Sequence, residues 1–207
     1  SPDARWVLAI LPVDPPRLML IPIGTGSSRA LPLGNLVAQR ADWFPDGKRF
    51  VVAASAPGKG VRLWAGDLSG GPLRPLTPEG MPLSHYEGFP VSSDGRSLAA
   101  VAPDGRLSIY STTGGQGRVI PDLPPGEVPI RWTEDGRLLA YVLGEVPARI
   151  LCVDPSTGAQ EPWRTLAPAD PAGILGFPAV QVSRDGKAYA YSYARFLSDL
   201  YLVDGLR

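Results

Sequence analysis

The stretch W-F-P-D-G-K-R-F-V-V-A at positions 43–53 decides the fold of this chain. Asp46-Gly47 stands between two apolar runs, the arrangement that favours a tight hairpin, because glycine accepts the positive φ such a turn imposes. A second β-rich run, V-R-L-W at 61–64, comes next, then Gly70-Gly71 and a third short run ending in P-L-T at 75–77. Reading outward, the same Asp-centred turn recurs as S-P-D-A-R at 1–5, S-S-D-G-R at 92–96, T-E-D-G-R at 133–137 and S-R-D-G-K at 183–187. The aspartates Asp3, Asp46, Asp94, Asp135 and Asp185 are separated by 43, 48, 41 and 50 residues. Those intervals suit a repeat of four short strands joined by loops of variable length.

Each unit reads as strands a, b, c and d, with the Asp-centred turn joining a to b. A four-stranded antiparallel meander cannot bury both of its faces alone. Stacking the units around an axis buries them, which predicts an all-β fold, a β-propeller of four-stranded antiparallel blades. The expected units are 1–35, 36–78, 79–122, 123–167 and 168–207. The first begins at its a–b turn and the fifth stops after strand c, so 18 strands are expected. This reading expects an incomplete ring from a larger propeller, with upstream blades supplying the missing strands. It also expects every Asp-Gly pair on one common face, and the long loops (77–87, 121–128, 167–176 and 12–16) on the other.

Composition narrows the function classes. Among 207 residues there are 20 Lys+Arg and 20 Asp+Glu, so the formal net charge is zero. That lacks the basic footprint of a nucleic-acid or anionic-membrane binder. The 24 glycines and 24 prolines are hard to place in a helical fold, whereas 44% hydrophobic residues are ample for a core. Cys152 is the single cysteine and His85 the single histidine, so neither an intrachain disulfide nor a Cys/His zinc site is expected. No apolar run reaches the roughly 18 residues that membrane insertion needs.

Catalytic motifs are missing as well. No G-x-S-x-G elbow occurs, and the glycine pairs Gly24-Thr25-Gly26 and Gly115-Gln116-Gly117 lack the lysine of a phosphate loop. The turn aspartates stand alone, without the further oxygens of a calcium site. No cofactor and no metal are expected, and Cys152 reads as a core residue. Candidate contacts are therefore polar residues of the innermost strands, which alternate into the central channel: Arg40 or Asp42, Glu87, Arg131 and Gln181. His85 and Tyr86 join them from the long loop beside Glu87, since binding residues concentrate on loops held by a rigid scaffold.

The pattern W-x-P-D-G-K/R, an apolar run, L-Y-x-V-D, G-G and L-T resembles the TolB-type, WD-like propeller repeat along the whole chain. The stretch A-Y-S-Y-A-R-F-L-S-D-L-Y-L-V-D-G-L-R at 190–207 resembles the end of propellers fused behind bacterial eukaryotic-type Ser/Thr kinase domains. The resemblance implies a non-catalytic binding module for a protein, peptide or small ligand, acting as the sensor or scaffold part of such a kinase. Two other readings stay open: the gating propeller of a prolyl-oligopeptidase-type hydrolase, and a TolB-like component of an envelope complex.

Overall fold

The computed structural model describes residues 1–82 and 88–198. These residues form sixteen strands in five antiparallel sheets and no helix. The first sheet holds β1 (Trp6–Leu11), β2 (Arg17–Pro22) and β3 (Arg29–Ala30). The second holds β4 (Val37–Trp43), β5 (Arg49–Ser55), β6 (Arg62–Asp67) and β7 (Arg74–Pro75). The third holds β8 (Ser97–Val101), β9 (Leu107–Ser111) and β10 (Arg118–Val119). The fourth runs β11 (Glu127–Trp132), β12 (Leu138–Val142), β13 (Ala148–Val153), β14 (Gln160–Leu166), and the fifth pairs β15 (Ile174–Val182) with β16 (Tyr189–Arg195). Every neighbour in each order is also the neighbour in sequence, so all five are meanders.

The turns explain the repeat. Ser1, Ser92 and Ser183 donate their hydroxyls to Asp3, Asp94 and Asp185 at 2.5, 2.6 and 2.6 Å, and Thr133 does the same to Asp135. The same carboxylates accept backbone N–H groups two residues on, as from Arg96 at 3.0 Å and Lys187 at 3.1 Å. These bonds hold the carboxyls below the ordinary aspartate range, with the hydroxyl partner as the leading cause. The aspartates are thus consumed by turn geometry. Gly47, Gly95, Gly136 and Gly186 follow with φ of +63°, +71°, +82° and +69°, and Ala4 takes the same place at +55°.

Packing between sheets follows the period-2 alternation of strand b. On β5, Phe50, Val52 and Ala54 join one core with Leu18 and Leu20 of β2, while Val51 and Ala53 join another with Leu98 and Ala100 of β8. On β8, Ala99 turns into a third core with Leu138 and Ala140. On β12, Leu139 and Tyr141 turn into a fourth with Phe177, Val180 and Val182 of β15. Five sheets therefore enclose four cores, and each buried large aliphatic side chain stabilises this stack by about 1.5–3 kcal/mol. Cys152 belongs to the fourth core at 5% exposure, with its thiol pushed up by burial.

A clasp crosses each seam. Arg29, Arg74 and Arg118 occupy equivalent places in strand d and donate to the carbonyls of Leu68, Thr112 and Pro155 in the next sheet's c–d turn, at 2.7, 2.7 and 2.8 Å. Each arginine stands two residues before a buried anchor, Leu31, Leu76 or Ile120. Arg164 precedes Leu166 in the same way, and its guanidinium lies 5.3 Å from the Trp163 ring and 4.6 Å from that of Tyr189 on β16. Among the described residues no strand pairing joins the first sheet to the last.

Three expectations need correction or limit. Among the described residues, strand a of the third unit contributes a single bridge, Val91↔Leu98, since Pro90 supplies no N–H; its carbonyl still accepts from Ala99 at 3.0 Å. Asp104-Gly105 joins β8 to β9, a b–c turn, so this Asp-Gly pair lies at the opposite edge from the others. Turn chemistry specifies a hairpin, and it does not specify which end of the strand carries it. The strand expected at Leu200 to Val203 lies outside the described residues.

Candidate functional site

The innermost segments of successive sheets converge on a channel. Counting back four residues from the turn aspartates of the second to fifth sheets reaches Asp42, Pro90, Arg131 and Gln181, and all four line one cavity of about 340 Å³. Pro2 borders it from the first sheet's turn. Next to it, towards the long loops, a smaller cavity of about 170 Å³ is lined by Arg40, Gly88, Pro129 and Tyr141, and shares Asp42, Ile130 and Gln181 with the first.

Local irregularity sets the arginines. The β4–β5 register shifts between Ala38 and Arg40, and the β11–β12 register shifts between Pro129 and Arg131. A bulge inserts one residue and re-aims those that follow. In both strands an arginine is the residue after the bulge.

Asp42 and Arg131 both face the channel without forming an ion pair with each other. Trp43 donates its N–H to Asp42 Oδ1 at 2.8 Å. Enclosure nevertheless pushes this carboxyl above the ordinary aspartate range, against the pull of the Trp43 and Phe89 N–H groups and of Arg40. Arg131 donates Nη1 to the Val182 carbonyl at 2.6 Å and Nε to the Trp132 carbonyl at 3.3 Å. Enclosure first and the nearby Arg184 second hold its guanidinium below the usual arginine value. Trp132 is 8% exposed and ties the fourth sheet to the third through Nε1 to the Pro90 carbonyl at 2.9 Å.

Of the residues picked from sequence, Arg40, Arg131 and Gln181 line the two connected cavities. His85, Tyr86 and Glu87 lie outside the described residues. Sequence reading missed Arg184 and Trp132 as channel-lining groups. The four-residue offset from the aspartate was a readable signal for the inner layer, whereas Arg184 sits inside the turn motif itself, where its role is masked by turn chemistry.

Elsewhere, Glu127 at the start of β11 is 2% exposed, and its Oε2 has no hydrogen-bond partner. Burial, then repulsion by Glu145, raises its carboxyl above the ordinary range, with Arg149 opposing. Among the described residues no group of three His, Cys, Asp or Glu side chains is placed to hold a metal, and no helix is long and apolar enough to cross a membrane.

Five stacked meanders around a polar channel can be compared with known structures. TolB from Acinetobacter baumannii superposes with a TM-score of 0.67 at 18% identity, over 91% of this chain and 46% of that one. The fold is that of a TolB-like β-propeller. A chain of a nidogen/laminin complex gives 0.61 at 12% identity over 84% of this chain and 66% of that one. A luciferin-regenerating enzyme gives 0.53 at 14% identity over 79% and 59%. The chain thus spans about half the length of the Acinetobacter TolB. No family model matches, and no curated protein matches by sequence. At these identities the likeness concerns architecture, and such a scaffold hosts unrelated functions.

Proposed function

We propose that this TolB-like propeller is a non-catalytic binding module that receives a protein or peptide partner, or a small ligand, in its central channel. The observation carrying this reading is the convergence of Asp42, Arg131 and Gln181, from three different sheets, on one cavity. Convergent polar groups in a preformed concavity are the usual signature of a ligand site. Arg40 extends the contact surface on the smaller cavity, and His85, Tyr86 and Glu87 are further candidate contacts from their place in the sequence. The resemblance of the C-terminal stretch supports a sensor or scaffold role beside a bacterial Ser/Thr kinase domain. The structural likeness to TolB supports, as a second reading, a component of an envelope complex.

The channel reading is tested by selecting short random peptides on the folded chain and counter-screening on Gln181→Trp, which fills the channel. Selected peptides are expected to lose about tenfold or more in affinity for the blocked variant, about 1.4 kcal/mol. Peptides that bind both forms equally place the binding surface elsewhere and defeat the reading.

A further inference from the structure

Arg131, like the clasp arginines Arg29, Arg74 and Arg118, is held by backbone carbonyls, but it faces the cavity between the sheets. Arg49, Arg137, Arg149 and Arg195 each sit on a carboxylate: Asp46, Asp135 and Glu161 together, Glu145, and Asp170. Among the described residues no carboxylate comes within ion-pair distance of Arg131. Its two bonded partners, the Val182 and Trp132 carbonyls, are neutral and orient the guanidinium, while Asp185 and Glu134 attract its charge only from beyond ion-pair distance. Nη2 has no acceptor among the described residues. Arg184, on the turn between β15 and β16, lines the same cavity and adds a second positive charge. The site is therefore a planar cation, held at two corners, facing a preformed space with a like charge beside it.

The chemistry of the missing acceptor follows from the shape of the donor and from the other wall. A guanidinium held in plane presents coplanar N–H groups that match the two oxygens of a carboxylate. Asp42 lines the same cavity, so each further negative charge on a ligand meets repulsion, and a monoanion fits better than a phosphate dianion. Gln181 offers an amide that can donate to the same ligand or accept from it.

We propose that the Asp-Gly end of the channel is a carboxylate-binding site, anchored by Arg131 and completed by Arg184 and Gln181. The proposal rests on the reading of the channel as the binding site. The carboxylate can belong to the end of a peptide or to a free small organic acid, and the probes below separate the two.

The whole 207-residue chain is titrated by calorimetry and tryptophan fluorescence with N-acetylglycine, the monoanion butyrate and the uncharged control N-acetylglycinamide. A carboxylate is expected to bind about tenfold or more tightly than the amide, as a charge-assisted bidentate bond requires. Tighter binding of N-acetylglycine assigns the peptide end, and tighter binding of butyrate assigns the free acid. Arg131→Gln should abolish the preference and Arg184→Gln should weaken it severalfold without changing the melting temperature. If Arg131→Gln does not fold, Arg131→Lys, which keeps the charge but loses the fork, should weaken the carboxylate severalfold. The proposal is overturned if the amide binds as well as the acids, if neither acid binds the wild type, or if folded Arg131 and Arg184 variants bind as the wild type does. Peptides that lose binding to Gln181→Trp while both acids fail to bind leave the channel reading standing and remove the carboxylate assignment alone.

Discussion

Gly158 is the position where a single methyl group should do the most damage to the stack. It lies in the turn between β13 and β14 at φ +76°, and a Cβ built there would stand 1.9 Å from the carbonyl oxygen of Pro121 in the neighbouring sheet's connection. Gly136, in the fourth sheet's Asp-Gly turn, has nearly the same backbone at φ +82° and nothing within 4 Å. Alanine at either place incurs about 1–2 kcal/mol for the left-handed conformation. Among the described residues the structure already tolerates a left-handed non-glycine residue twice, at Ala4 and Asp122. At Gly158 the Pro121 carbonyl must also retreat by about 1 Å or more, since real Cβ atoms do not approach closer than 3.0 Å. That retreat strains two seam bonds, Gln160 Nε2 to the Asp122 carbonyl at 3.2 Å and Arg118 to the Pro155 carbonyl at 2.8 Å, each worth about 1 kcal/mol. The total for Gly158→Ala is then about 3–4 kcal/mol, against about 1–2 for Gly136→Ala. In a domain of this size each kcal/mol moves the melting temperature by about 2–4 °C. Thermal unfolding followed by circular dichroism should place Gly158→Ala well below Gly136→Ala. Gly114→Ala, whose Cβ would meet the Pro75 oxygen at 2.8 Å, should fall between them. Equal melting temperatures for Gly158→Ala and Gly136→Ala would refute the seam-contact argument.

Glu127→Gln should stabilise the protein at neutral pH by about 1–2 kcal/mol, because it removes the charge from a buried, unpartnered carboxyl. The folded-state value of Glu127 is raised, so its ionisation penalty is absent below the ordinary carboxylate range and grows as pH rises through it. Melting curves of wild type and variant should therefore converge in acid and separate towards neutrality, and a pH-independent gap would count against the assignment. Arg118→Ala should lower stability by about 1 kcal/mol and raise amide exchange along the seam between the third and fourth sheets. Exchange changes confined to the first or fifth sheet would show that the clasp does not act where the hydrogen bond lies.

Much of this architecture was legible because the repeat unit advertises its own hairpin. The aspartates at 3, 46, 94, 135 and 185 and the apolar runs behind them locate strand b of every sheet. The reduction of the 88–92 segment to one bridge was less legible, since Pro90 lacks a ladder donor but also serves as an acceptor for Ala99 and Trp132. The placing of Asp104-Gly105 at the far edge was hidden for another reason: a local turn signal carries no information about the direction of the strand that enters it. In the channel, alternation along the inner strands pointed to Arg40, Arg131 and Gln181. Of the two carbonyls that hold Arg131, that of Trp132 is the neighbouring residue's, while that of Val182 comes from packing between sheets, which no local pattern encodes. The arginine clasp was present in the sequence as Arg-x-Leu or Arg-x-Ile, but it becomes visible only when the short strands β3, β7 and β10 are aligned on their buried anchors.

The alternation on β5 has a consequence for how such a chain can change over generations. Even-numbered positions of that strand face backwards into one core, and odd-numbered positions face forwards into the next. The strand therefore carries both halves of a socket-and-plug joint. A duplicated copy of the unit presents to its predecessor the face the original presented, and to its successor the face already complementary to it. Insertion of a whole unit thus needs no new surface to be invented, and the stack can lengthen by duplication while each added joint is stabilised as the existing ones are.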